Sequence, residues 1–499
     1  MKISNLIFVL SIIFLIVAVS TAQSQCPPIY TFTGEAAGDA FGISVASAGD
    51  VNNDGFDDLI VGAPANHAGG ILSGRAYVFS GKTGDTIYIF TGKSAGDQFG
   101  ISVASAGDVD NDGFNDLIVG AYLNDAGGSD AGRAYVFSGQ TGDTIYTFAG
   151  EAAGDWFGSS VASAGDVDND GFDDLIVGAR FAGGAYNPGR AYVFSGQTSD
   201  TLYVFTGETD FDGFGTSVSG AGDVNKDGYD DVIIGANTYG FGGVFPGRAY
   251  VFSGKTGNTI YEFPGQTNGD RFGSSVASAG DVNNDGFEDL IVGAVWNDTG
   301  GNNAGRAYVF SGQTGDTIYV FTGEASLDYL GNSVGTAGDV NNDGFDDLIV
   351  GAWGNDAGGN YAGRAYVYSG QTGNTLYTFT GEAANDEFGF SVASAGDVDN
   401  DGFDDLIVGA YLNDAGGSDA GRAYVFSGKL VCLCADPNGD ELVNVDDVDF
   451  LIDYYFYSGT TPVSLVASDL NCDGSVDIAD ITYLAAYING TGAPPCCAE

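Results

Sequence analysis

At 499 residues the chain is long enough for about three average domains, and all-β domains run larger. Glycine supplies 82 residues, yet aromatic residues make up 13% and apolar ones 44%, which excludes a disordered chain and points to many short strands joined by tight turns. With 67 acidic against 15 basic residues the formal charge is −52, a surface that repels nucleic-acid phosphates and anionic lipid and, unless neutralised, repels itself.

The first 25 residues carry one positive charge, Lys2, then an apolar run from Leu6 to Val19 and the small residues Ser20-Thr21-Ala22. This order predicts a signal peptide over residues 1–25 and no membrane span after its removal. The mature chain is then secreted: extracellular, at the cell surface or in a periplasm. His67 is the single histidine, so a His-dependent catalytic triad or a His-ligated zinc would have to use it; it reads as a surface residue.

From Asp50 onward the chain repeats itself. The string Gly-Asp-Val-(Asn/Asp)-x-Asp-Gly recurs seven times at spacings of 58, 58, 57, 58, 58 and 58 residues. Each unit offers four strand candidates; in unit two they are residues 99–103, 117–121, 133–137 and 144–148. Four strands in each of seven units predict an all-β, seven-bladed propeller over residues 26–429. The last unit lacks its fourth strand, while an unpartnered copy, Ile29–Thr33, precedes the first. The expectation is that this N-terminal strand closes the ring as the outer strand of blade seven.

The loop between strands one and two carries the chemistry. Position 1 is Asp50, Asp108, Asp166, Asp223, Asp281, Asp339 and Asp397. Position 3 is Asn52, Asp110, Asp168, Asn225, Asn283, Asn341 and Asp399. Position 5 is Asp54, Asp112, Asp170, Asp227, Asp285, Asp343 and Asp401, and position 9 is Asp58, Asp116, Asp174, Asp231, Asp289, Asp347 and Asp405. Position 7 offers a backbone carbonyl from Phe56, Phe114, Phe172, Tyr229, Phe287, Phe345 and Phe403. Oxygens at alternate positions around a glycine turn are how a loop wraps Ca²⁺, a hard cation wanting six to eight oxygens; Mg²⁺ keeps its waters and fits less well. The competing reading is an Asx-turn in which Asp and Asn cap the backbone without metal. Seven copies favour the ion.

Phe-Gly followed by Gly-Asp-Val-Asn-x-Asp-Gly-Phe-x-Asp-Leu-Ile-Val-Gly-Ala resembles the FG-GAP repeat of integrin α-chain propellers, over residues 29 to 429. The resemblance implies calcium in hairpin loops on one face and a ligand surface on the other, built from the 2–3 and 4–1 loops. Those loops hold Trp156, Trp296 and Trp353 with Tyr122, Phe181, Tyr239, Phe245, Tyr361 and Tyr411. They read equally as a protein or carbohydrate contact surface and as packing between blades. One arginine opens each third strand: Arg75, Arg133, Arg190, Arg248, Arg306, Arg364 and Arg422. Pairing with a carboxylate in each blade is favoured over anion binding.

After Lys429 the period stops. Asp436, Asn438, Asp440, Asn444 and Asp447 occupy positions 1, 3, 5, 9 and 12 of a second loop type, as do Asp469, Asn471, Asp473, Asp477 and Asp480 of a third. Each runs into an amphipathic segment, residues 448–456 and 481–488. Within the module of residues 430–499, roughly residues 435–489 thus resemble a dockerin, which implies two further Ca²⁺ ions and a cohesin-like partner. Val445-Asp446 and Ile478-Ala479 depart from that family's contact residues, and a calcium-stapled cap without a partner is the alternative. About seven ions in the propeller and two in the tail would bring the mature charge from −53, the formal −52 without Lys2, to −35.

All six cysteines, Cys26, Cys432, Cys434, Cys472, Cys496 and Cys497, lie outside the repeats. Disulfides are favoured over zinc in an exported chain. If Ile29–Thr33 closes the ring, Cys26 comes close to Cys432, and that bridge is expected. The functional reading is a calcium-loaded adhesion or ligand-binding scaffold attached through its tail, not an enzyme. The alternatives are a polysaccharide-degrading enzyme using a carboxylate pair and a purely structural surface component.

Overall fold

The computed structural model describes residues 28–184, 187–237, 246–428, 445–457, 470, 476 and 478–488. The chain divides into two compact units, one of them Pro28–Leu430. In that unit the described strands form seven four-stranded antiparallel sheets. The first strands of neighbouring sheets contact one another around the ring, so strand one is innermost. The chain is a seven-bladed propeller.

Blade two comprises Val103–Gly107, Asp116–Ala121, Arg133–Phe137 and Thr144–Ala149. Its first strand lies further along than the expected 99–103. Gly100 interrupts the ladder, as Gly158, Gly215 and Gly273 do in the next three blades: its φ is +90°, and the Arg75 carbonyl occupies the space a Cβ would need. The chain therefore leaves extended geometry there, and Phe99 keeps only a parallel bridge to Gly74. In blades three to five the strand does begin at the phenylalanine, with a register break behind it.

Second strands such as Asp58–Ala63 are buried at every residue. That is what an uninterrupted apolar run requires when both faces meet a neighbouring sheet. The cores accordingly lie between blades. Ile60, Val78 and Phe90 of blade one pack with Leu117, Val119, Tyr135 and Phe137 of blade two. Phe90 stacks on Phe137 at 4.0 Å between ring centroids. Polar stitches repeat at each seam: the Val103 N–H donates to Ser44 Oγ at 3.1 Å, and the Tyr88 hydroxyl donates to the Gly139 carbonyl at 2.8 Å.

The ring closes as the sequence predicts. Tyr30–Thr33 pairs antiparallel with Arg422–Phe426, Tyr30 opposite Val425 and Thr33 opposite Arg422. The seam between blades seven and one repeats the pattern of the others: Phe32 stacks on Phe79 at 4.0 Å, and the Val45 N–H donates to Ser391 Oγ at 3.1 Å.

In the second unit, helices Val445–Tyr457 and Ile478–Ile488 contain the two predicted amphipathic segments. They pack through Leu451, Leu470, Ile481 and Leu484. No helix among the described residues is long and apolar enough to cross a membrane. The signal segment, all six cysteines with the expected Cys26–Cys432 bridge, Tyr239, Phe245, and positions Asp436, Asn438, Asp440, Asn444, Asp469, Asn471, Asp473 and Asp477 lie outside the described residues.

Candidate functional site

Loop two shows how the repeated aspartates are held. Asp108 Oδ1 accepts the Asp112 N–H at 3.0 Å and its Oδ2 accepts the Gly113 N–H at 2.9 Å. Asp112 Oδ1 accepts the Phe114 N–H at 3.0 Å. Asp116 opens strand two and is fully buried; it accepts the N–H groups of Val109 at 3.0 Å and Gly139 at 2.9 Å. These bonds are a turn frame of the Asx kind.

Two observations go beyond turn capping. One carboxylate oxygen from each of positions 1, 3 and 9 lies within 4.8 Å of the others in Asp108/Asp110/Asp116, Asp166/Asp168/Asp174 and Asp397/Asp399/Asp405. In addition, Asp168 Oδ1, Asp227 Oδ1 and Asn341 Oδ1 are buried with no hydrogen-bond partner. Buried acceptors are rarely left orphaned, and a cation among these oxygens supplies the missing partner. The residues present therefore fit a hard divalent cation. In the loops with Asn at position 3, the amide donates to the position-9 carboxylate, as Asn52 Nδ2 does to Asp58 Oδ2 at 2.9 Å. Position 5 is not among the converged groups; Asp112, Asp170 and Asp401 stay with the N–H of position 7.

Burial pushes the position-9 carboxyls up to about 7 in Asp58, Asp116, Asp174, Asp231, Asp289 and Asp347, and to about 8 in Asp405. Asp110 and Asp168 move up as well, by burial and then by their acidic neighbours. Each position-9 group binds a proton more tightly folded than unfolded. Its stabilising contribution is complete below its ordinary value of 3.8 and is lost as pH rises through about 7. The cation-free protein is thus expected to lose stability steadily from pH 4 to 8, with calcium flattening the slope by neutralising the same oxygens. Urea midpoints across that range, with and without chelator, measure this; parallel slopes would contradict it.

Position 8 was not singled out from sequence, yet it links the loops. Asp173 Oδ2 accepts the Asp108 N–H at 2.9 Å, so the third loop holds the first residue of the second. Asp230, Asp346 and Asp404 do the same for Asp166, Asp281 and Asp339, and Asp57 accepts the Asp397 N–H across the closure. The visiting carboxylate fills the space where Gly107 would carry a Cβ, which explains the glycine before each loop at φ near +70°. The signal in the sequence is an acid or amide at position 8 in every repeat, but its partner lies 65 residues away.

In the tail unit the position-12 residues Asp447 and Asp480 are fully buried in the first turns of their helices. Asp480 Oδ1 accepts the Leu470 N–H at 2.7 Å, tying the end of its loop to the start.

The 2–3 and 4–1 loops occupy the opposite ends of the strands. Five of the seven arginines pair as expected: Arg75, Arg190, Arg248, Arg364 and Arg422 lie 2.7–3.0 Å from Glu35, Glu151, Glu208, Glu324 and Glu382. Arg133 and Arg306 do not, because Lys93 and Gln266 stand where the glutamate would be. The aromatics gather into clusters. Trp156 packs edge-on to Tyr122 and Phe181 with Arg180 over its ring, and Arg271 lies over Trp296 at 3.2 Å. Trp353 stacks on Tyr329 at 4.4 Å and on Tyr361 at 5.8 Å, while Tyr411 packs on Phe390. The residue before the repeat's Phe or Leu is left-handed in every blade: Ala40, Gln98, Trp156, Gly213, Arg271, Tyr329 and Glu387, all with φ between 51° and 64°. Holding a non-glycine residue there costs on the order of 1 kcal/mol each. This strained position carries seven different residues in an otherwise uniform repeat.

Comparison with known proteins matches the FG-GAP repeat at residues 41–79, 99–137, 157–194, 214–252, 272–310, 330–368 and 388–426. Similar proteins include integrin alpha-5 of Xenopus laevis, 34% identical over 232 residues, 43% of this chain and 21% of the relative. Integrin alpha-V of Gallus gallus is 35% identical over 212 residues, 39% and 20% of the two chains. Integrin alpha-4 of Xenopus laevis is 28% identical over 260 residues, 49% and 24%. The chain thus spans a fifth to a quarter of the length of these relatives. Seven matched repeats, one in each blade of a closed ring with its acidic loops on one face, place this chain in the FG-GAP repeat family.

Proposed function

We propose that the chain is a secreted, non-enzymatic adhesion scaffold rigidified by calcium. Residues 1–25 direct export, residues 26–429 form the ligand-binding propeller, and residues 430–499 act as a dockerin-like attachment module. The reading is carried by the acidic oxygens that converge at positions 1, 3 and 9, with buried Asp168 Oδ1 left without a protein partner. The position-1, -3 and -9 side chains would hold each ion, with position 5 and the position-7 carbonyl completing its shell. Bound calcium supplies charge neutralisation and no chemistry. A protein or carbohydrate ligand engages the face of the 2–3 and 4–1 loops, where the left-handed position displays a different residue in each blade. The abundant carboxylates are accounted for by the loops, which removes the main argument for a hydrolase.

Equilibrium dialysis against millimolar calcium tests the ion count. About seven ions per propeller, and two more with the tail attached, are expected; one or none would end the calcium reading.

A further inference from the structure

At the seam between blades one and two, on the face of the 2–3 and 4–1 loops, the repeat pattern changes in both loops at once. The 2–3 loop of blade one reads Asn66-His67-Ala68-Gly69-Gly70-Ile71-Leu72, where blade two has Asn124-Asp125-Ala126-Gly127-Gly128-Ser129-Asp130. His67 Nδ1 takes over the turn bond from the Leu72 N–H at 3.1 Å, the role Asp125 plays for Asp130 at 2.9 Å. Two acidic positions are thereby replaced by a histidine and a leucine, and Ile71 is left 70% exposed and Leu72 37% exposed.

The adjoining 4–1 loop departs at the same seam. Its carbonyl partners place it directly beside the first: the Gly96 N–H donates to the Ile71 carbonyl at 2.9 Å and the Gln98 N–H to the Leu72 carbonyl at 3.1 Å. In this loop Lys93 stands where five blades carry the glutamate that pairs with arginine. Across from Arg133, Ala149 replaces the threonine that accepts the arginine Nε in blades one, five, six and seven. Arg133 has consequently lost both usual partners. It rests on the Tyr135 ring, its Nε buried without a hydrogen-bond partner. Lys93 makes no ion pair among the described residues and lines a cavity of about 210 Å³ with Ile89, Phe90, Phe99, Tyr135 and Phe137.

A chain with 67 acidic and 15 basic residues has here two cations that make no salt bridge among the described residues, Arg133 feeling only the Asp97 carboxylate, beside exposed apolar side chains. Charge complementarity selects an anionic occupant, and the apolar flank selects one with a hydrophobic side chain next to its carboxylate. We propose that this seam is a docking site for an acidic, apolar-flanked peptide segment of a partner protein. Its carboxylate pairs with Lys93 and Arg133, and its apolar side chain covers Ile71 and Leu72. The proposal rests on the reading of this face as the ligand face.

The test is a display selection of random octapeptides against the full chain in millimolar calcium, followed by binding of the enriched peptides to variants. Enriched peptides are expected to place Asp or Glu beside Leu, Ile, Val or Phe. They should bind Lys93→Glu at least about tenfold more weakly, since this change restores the ion pair of the other blades and removes the cation without harming the fold. Ile71→Ser with Leu72→Asp, which restores the loop of blade two, should weaken them similarly. Melting temperatures of both variants at or above that of the parent establish that they fold. No enrichment, or enrichment of basic or purely apolar peptides, overturns the proposal. Acidic peptides that bind parent and Lys93→Glu alike place docking elsewhere on the face, so the seam fails while the scaffold reading stands.

Discussion

Removal of divalent cations is expected to lower the melting temperature by more than any single substitution. At a free calcium some ten to twenty times the dissociation constant, each site contributes about 1.5 kcal/mol, so seven sites contribute on the order of 10 kcal/mol. The effect compounds in this chain, because unneutralised carboxylates are left converging in the loops and the formal charge returns to its full value. Calorimetric scans in calcium and in chelator decide it: coincident transitions would show that the loops are sustained by backbone hydrogen bonds alone. Added monovalent salt should recover only part of the loss, since it screens repulsion between exposed charges but cannot satisfy Asp168 Oδ1.

Deleting residues 28–34 is expected to produce the second largest effect. The strand Tyr30–Thr33 contributes a full ladder to Arg422–Phe426 and buries Phe32 against Phe79. Loss of a buried phenylalanine costs about 3–5 kcal/mol, and each lost ladder bond about 1 kcal/mol more. In a unit of this size that corresponds to a fall of roughly 5–10 °C. The truncated chain also exposes the backbone edge of Arg422–Phe426, which invites pairing between molecules. Sedimentation of the truncated chain should therefore show self-association that the full chain lacks. An unchanged melting temperature with a monomeric product would mean that closure contributes nothing.

The architecture was legible in the sequence because its signals are local. The aspartate spacing and the four apolar runs can be read within one 58-residue unit, and the unpaired strand before the first repeat by comparing the two ends of the array. What escaped depends on neighbours one repeat away. The role of Asp173 becomes visible only when the Asp108 N–H is beside it, and the break in the ladder at Gly100 only when the Arg75 carbonyl is seen to crowd it. The left-handed position is equally silent: Trp156 and Tyr329 look like any loop aromatics until their φ values group them with Ala40 and Glu387. The arginine pairing was anticipated in kind, but its failure at Arg133 required Lys93 and Ala149 to be placed against it together.

A ring sealed by its first and last strands also dictates an order of events. Thr33 Oγ1 accepts from Arg422 Nε across 389 residues of chain, a loop that takes in nearly the whole propeller. Contacts so distant form late and slowly, after the intervening blades have stacked. A chain emerging from the N-terminus therefore carries its initial strand without a mate until nearly all of the propeller has been synthesised. Any holding factor acting during synthesis would find its target in that waiting segment rather than in the repeats.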